Sequence, residues 1–169
     1  MSARRVHWVL TAGLLLLFAG RASAADIYFI ASLDKAECKK GERPNLTLKL
    51  ENKGAQAIWV NSRGYVGSSS MAPKERDAYL TVISPSGKAL ECKYTYPAGY
   101  PKSDYFYRLE SGKSVPTERG VNLESYYDFD ETGVYKITAH YENVFGPEIA
   151  LDVFREPIQS DTLELKIVE

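Results

Sequence analysis

The sequence predicts an all-β chain folded as an antiparallel two-sheet sandwich of seven to nine strands, and three observations carry that expectation. Apolar residues recur with period two in short runs, turn residues punctuate those runs, and no stretch sustains helical periodicity over a dozen residues. Strands with one apolar face need a second layer to cover it, and a sandwich supplies that layer.

The strands follow in order. IYFIASL (27–33) opens the series, and NLTLKLEN (45–52) alternates, with Leu46, Leu48 and Leu50 on one face and Thr47, Lys49 and Glu51 on the other. The turn NKG (52–54) is expected to fold that strand into a hairpin with QAIWVN (56–61). AYLTVI (78–83), the turn SPSG (84–87) and KALECKYTY predict a second hairpin. DYFYRLESGKSV and RGVNLESYYDF come next, then ETGVYKITAHYE (131–142), the longest strand candidate, and TLELKIV (162–168).

The N-terminus reads as a secretory signal peptide over residues 1–24. It has Arg4 and Arg5, an apolar run from Trp8 to Gly20, and Ala22 and Ala24 as the small-x-small cleavage pattern. That run is about a dozen residues, short of the ~20 that cross a bilayer, so no membrane span is expected in the mature chain. An exported chain from Ala25, periplasmic or extracellular, keeps 18 basic against 22 acidic residues, a net charge near −4. Its charges are interspersed rather than clustered, which argues against a nucleic-acid partner. The 145 residues of 25–169 suit one domain. The two cysteines, Cys38 and Cys92, are expected to form a disulfide in an oxidising compartment. Closing a loop of about 55 residues would contribute at most roughly 4 kcal/mol.

The succession LKLENKGAQAIWV, YLTVISPSGKAL, LESGKSV, YYDFDETGVYKITAHYE and IQSDTLELKI resembles secreted immunoglobulin-like domains. Two groups share this pattern: the BsuPI-type proteinase-inhibitor domains, and immunoglobulin-like modules attached to extracellular peptidases. The resemblance covers roughly residues 45–168 and implies an immunoglobulin-like sandwich, without implying any chemistry. Its best single piece is Gly133-Val134-Tyr135-Lys136-Ile137, which resembles a tyrosine corner. An antibody domain would place a cysteine where Ile137 stands, so any Cys38–Cys92 bridge would be a different staple.

Chemistry-bearing residues are few. His140 is the one histidine after residue 24 and falls on the polar side of its strand, with no G-x-S-x-G elbow to suggest a triad. One histidine and two cysteines do not make a zinc site, and no cofactor is expected. Asp128, Asp130 and Glu131 could offer calcium some oxygen ligands, but they lack an EF-hand order and read more simply as a solvated corner. Asn45-Leu46-Thr47 fits a glycosylation pattern whose middle lies in a strand, which reads as chance.

Two loops remain. Residues 62–77 are long, aperiodic and rich in Gly and Ser, with Tyr65 and Met71 as their large apolar side chains. The other lies within CKYTYPAGYPKSDYFY (92–107), which holds five tyrosines. Alternation sends Cys92, Tyr94 and Tyr96 inward, and Tyr105, Tyr107 and Leu109 inward on the returning strand. That leaves Tyr100 at the tip 97–104, with Phe106 and Tyr65, as an aromatic binding patch. The expected function is a non-catalytic module that binds a protein, or a glycan, through end loops. The alternative, implied by the resemblance, is a proteinase inhibitor that uses loop 62–77 or 97–104.

Overall fold

A computed structural model describes residues 26–117 and 120–169, so the leader expected at 1–24 lies outside the described residues. The alternating runs become strands β1 (Ile27–Leu33), β2 (Glu37–Lys39), β3 (Asn45–Asn52), β4 (Ile58–Asn61), β5 (Val66–Gly67), β6 (Ala78–Ile83), β7 (Phe106–Leu109), β8 (Ser114–Pro116), β9 (Val121–Asn122), β10 (Gly133–Tyr141), β11 (Ile158–Gln159) and β12 (Leu163–Val168). Seven of these run four residues or longer, and the other five are pieces of two or three. The chain is all-β, its helical content among the described residues being three-residue 3-10 turns. No described helix is long and apolar enough to cross a membrane.

One sheet has the order β1-β3-β8, and β9 joins β8 along the same edge of β3. The second sheet runs β2-β12-β10-β6-β5, with β11 also on β10, and β4 pairs with β7 in a two-stranded ribbon. Pairing is antiparallel except for β2 with β12 and β5 with β6. Leu46, Leu48 and Leu50 are fully buried, as their alternation requires. Removing each such side chain from water contributes about 1.5–3 kcal/mol. Facing residues come from β10, where Tyr135, Ile137, Ala139 and Tyr141 form the buried set. Phe29 of β1 meets Tyr141 across the two layers at 5.5 Å between ring centroids.

The Tyr135 hydroxyl accepts a hydrogen bond from the Glu131 N–H at 2.8 Å and donates to the Glu131 carbonyl at 2.9 Å, which is the geometry of a tyrosine corner. Gly133 belongs to that corner, with φ of 129°, and a Cβ there would come within 2.9 Å of Pro85.

Two expectations are corrected. The strands 45–52 and 56–61 do not form a hairpin, because β3 already has β1 on one edge and β8 and β9 on the other. The buried Asn52 redirects the chain instead: its Nδ2 donates to the carbonyls of Gln56 and Leu109, and its Oδ1 accepts from the Gly54 N–H. The second hairpin stops early. Ser84 and Leu90 bond back across the SPSG turn and Ile83 bridges Ala89, but residues 91–102 take no strand conformation. The structure places Cys38 and Cys92 as separate thiols, with no bond drawn between them. Cys38 is buried on β2 opposite Ile167, whereas the Cys92 thiol points at the Tyr94 carbonyl, 3.5 Å away, with the Tyr127 hydroxyl beside it. Burial pushes both thiols above the usual cysteine range, so both are held protonated.

Thiol titration of the chain in denaturant, without reductant, is expected to return two reactive thiols per molecule. A bridged chain would return none.

Candidate functional site

The loops 62–77, 97–104 and 143–154 meet around a polar cluster that is buried where β4 ends and β6 begins. Asn61 closes β4 and Asp77 immediately precedes β6; both are fully buried. The Asp77 carboxylate accepts from Arg63 Nε at 2.6 Å, Arg63 Nη2 at 2.8 Å, Asn61 Nδ2 at 2.8 Å and the Tyr65 N–H at 2.9 Å. Asn61 Nδ2 also donates to Asn143 Oδ1 at 3.2 Å. Asn143 in turn spans the third loop, donating to the carbonyls of Phe145 and Phe154. The Tyr141 hydroxyl donates to the Asn61 carbonyl and accepts from its N–H, which fixes the end of β10 to the end of β4. Burial, and then the nearby Asp77 charge, pushes that hydroxyl well above the usual tyrosine range. No buried side-chain polar atom among the described residues lacks a partner, as such a network requires.

Arg63 extends this cluster to the tip. Its third nitrogen, Nη1, donates to the Gly99 carbonyl, one residue before Tyr100. The Ala98 N–H donates to the Glu75 carbonyl at 2.8 Å, and the Tyr65 hydroxyl donates to the Tyr96 carbonyl at 2.8 Å. Tyr100 rests edge-on against Phe145 with ring centroids 5.7 Å apart, and the Arg63 guanidinium lies 5.7 Å from the same ring. Gly64, at φ of 60°, lets the chain turn beside Thr117 without a side chain in the way.

The patch expected from sequence is divided by this geometry. Tyr100 lies on the surface, 82% exposed. Tyr65 is half-buried behind the tip, between Arg63 and Tyr94. Phe106 is not part of the surface: at 6% exposure it packs in a small cluster with Phe145, Val153, Trp59 and Leu151. Its neighbour Tyr107 takes the exposed side, because β7 opposes β4 with Phe106 and Leu109 buried and Tyr107 and Arg108 outward. Tyr96, expected inward, is 73% exposed. Alternation does not apply to it, since its segment is not a strand.

The remaining candidates occupy separate places. Arg76 bonds Glu142 at 2.6 Å and covers the Tyr79 ring at 4.5 Å, and Tyr79 stacks on His140 at 4.4 Å. His140 Nε2 lies 3.0 Å from the Thr81 hydroxyl. Partial burial, then the Arg76 charge, holds His140 below the usual histidine value of 6.5. Asp128 pairs with Lys93, Glu131 accepts from the N–H and hydroxyl of Ser86, and Lys40 Nζ donates to the Asp130 carbonyl. Among the described residues no three His, Cys, Asp or Glu side chains converge as metal ligands would. Asn45 is exposed at the start of β3, with its amide donating to Asp34.

Sequence reading missed Arg63, Asp77, Asn61 and Asn143. No motif marks them, since Asn61 and Asn143 meet across 82 residues of chain. Compared with known proteins, the chain matches no protein-family model and no curated protein.

Arg63→Ala leaves the Asp77 carboxylate buried without its cation, and is expected to lower unfolding free energy by about 3–5 kcal/mol in denaturant titration. A loss under 1 kcal/mol would mean that the pair is not an internal support.

A depressed His140 pKa means that the unfolded chain takes up the proton at higher pH than the folded one. Stability is therefore full above 6.5 and falls as pH drops from there toward the folded value. Thermal melts over that interval are expected to show a decline that His140→Gln flattens.

Proposed function

We propose that this chain is an exported, non-catalytic immunoglobulin-like module that binds a protein partner through the loop end bearing Tyr100. The strand order supports the fold part of this reading. With β1, β3, β6, β8, β10 and β12 taken as A, B, C, E, F and G, the neighbours are A-B-E in one sheet and C-F-G in the other. The signal-like N-terminus supports export.

One observation carries the binding part: Tyr100 is 82% exposed, yet the backbone carbonyl before it is hydrogen-bonded to a buried arginine. A large aromatic side chain presented from a fixed backbone gives contact area and a hydroxyl while losing little conformational freedom on binding. Tyr96 adds a second exposed ring on the same segment. The same fixed tip favours the inhibitor reading as the second choice, because inhibitory loops are preorganised too.

Capture from the source's own secreted and periplasmic fractions tests the first reading. The unmodified chain is expected to retain a partner that Tyr100→Ala loses at unchanged stability, and equal recovery by both would overturn it. In a protease panel, protection at nanomolar chain concentration would move the assignment to the inhibitor.

A further inference from the structure

The ends of the sheets are protected unequally. β8 is three residues long and contains Pro116, β2 is three residues with Glu37 and Lys39 flanking its one buried residue, and β5 is two residues. On the β4–β7 ribbon, β4 is backed by the Trp59–Val153 bridge and β7 carries Arg108, ion-paired to Glu110. Short length, charge and proline are the usual means by which an edge is kept from pairing. β1 has none of them: it is seven residues, IYFIASL, without charge or proline, and its register with β3 runs from Ile27–Asn52 to Leu33–Leu46 without a bulge.

Register also says which groups the edge offers. The Lys53 N–H bonds the Asp26 carbonyl and the Asp34 N–H bonds the Asn45 carbonyl. The even-numbered residues of β1 therefore exchange hydrogen bonds with β3, and the N–H and C=O groups of Ile27, Phe29, Ala31 and Leu33 face away from it. None of those outward groups bonds another backbone group among the described residues outside the strand ladder.

We propose that this edge is where a second copy of the chain docks, β1 against β1, antiparallel about a two-fold axis through Ile30. Self-pairing suits this strand because its open residues are symmetric about position 30. Ile27 meets Leu33 of the second copy and Phe29 meets Ala31, giving about eight backbone hydrogen bonds and joining the two sheets into one. The inward residues of each β1 then continue one apolar face across the joint, and the uncharged Tyr28, Ile30 and Ser32 line the other. A one-residue slip would set open groups against groups already used by β3. At the ends, Asp26 comes opposite Asp34 of the second copy, so association tightens as salt screens that repulsion.

Sedimentation of the purified full chain over a concentration series is expected to show a monomer–dimer equilibrium that shifts toward dimer with added salt. Ile30→Lys, which sets two lysines side by side on the axis and leaves the buried face intact, is expected to give monomer throughout. Ile30→Cys is expected to form a 30–30 disulfide-linked dimer on mild oxidation, identified by peptide mapping against the unsubstituted chain. A monomer at every concentration, association that survives Ile30→Lys, or absence of the 30–30 crosslink would each overturn the proposal. Association through the N-terminal apolar run would survive the lysine and be recognised by that.

Discussion

The carboxylate of Asp77 is the point on which the loop end depends. It sits at the threshold of β6, takes four donors, and through Arg63 reaches the carbonyl of Gly99 in the tip. A well-packed apolar cluster could fill the same volume at equal or better stability, because desolvating two charges offsets most of their attraction. An apolar cluster has no preferred direction, however, whereas a carboxylate and a guanidinium fix one another's planes. The arrangement therefore specifies where three loops leave the sandwich more than it holds the sandwich together. Asn61, Asn143 and Tyr141 carry the same constraint to the end of β10.

A second polar group repeats this on a smaller scale along the outer side of the sheet. Arg76 joins the Ser68 carbonyl to Glu142 and covers Tyr79, which covers His140. The two arginines flank the stretch that ends in Asp77, so residues 62–77 are long and aperiodic in sequence yet tied down at both ends. Their Gly and Ser content reflects the turns that bring those arginines inward, Gly64 beside Thr117 among them.

Alternation revealed the sandwich because burial in a sheet imposes period two on every strand with a covered face. Leu46, Leu48 and Leu50, and Tyr135 through Tyr141, follow it residue by residue. Partnership was not legible in the same way. Leu46 to Leu50 would look the same with β4 or with β8 alongside, and only the occupied edges of β3 decide the matter. Period two misplaces two rings of 92–107 for different reasons: Tyr96 lies within 91–102, which is not strand, whereas Phe106 opens β7, a strand that buries Phe106 and Leu109, three apart, rather than alternate residues. Tyr100 escaped that error because Pro97 and Pro101 already marked its segment as loop. The cluster behind it was invisible, since a buried Asp and Arg have the same letters as exposed ones.

Exposure alone would not distinguish Tyr100 from the tyrosines that sheet surfaces carry as a matter of course. Tyr107 is also half in solvent, but it stands in a strand whose outward face is ordinary. Tyr100 differs in what lies behind it: Phe145 against its ring, Gly99 held by Arg63, and Ala98 held by Glu75. The partner proposed for this residue would meet a backbone already held by hydrogen bonds. The ordering cost that usually offsets contact energy in a loop, about 0.5–1.5 kcal/mol for each immobilised side chain, is here confined to the exposed rings themselves. Set against an apolar cluster of the same volume, a buried charge pair adds little to the stability of a sandwich, and what it adds is the geometry of what the loop presents.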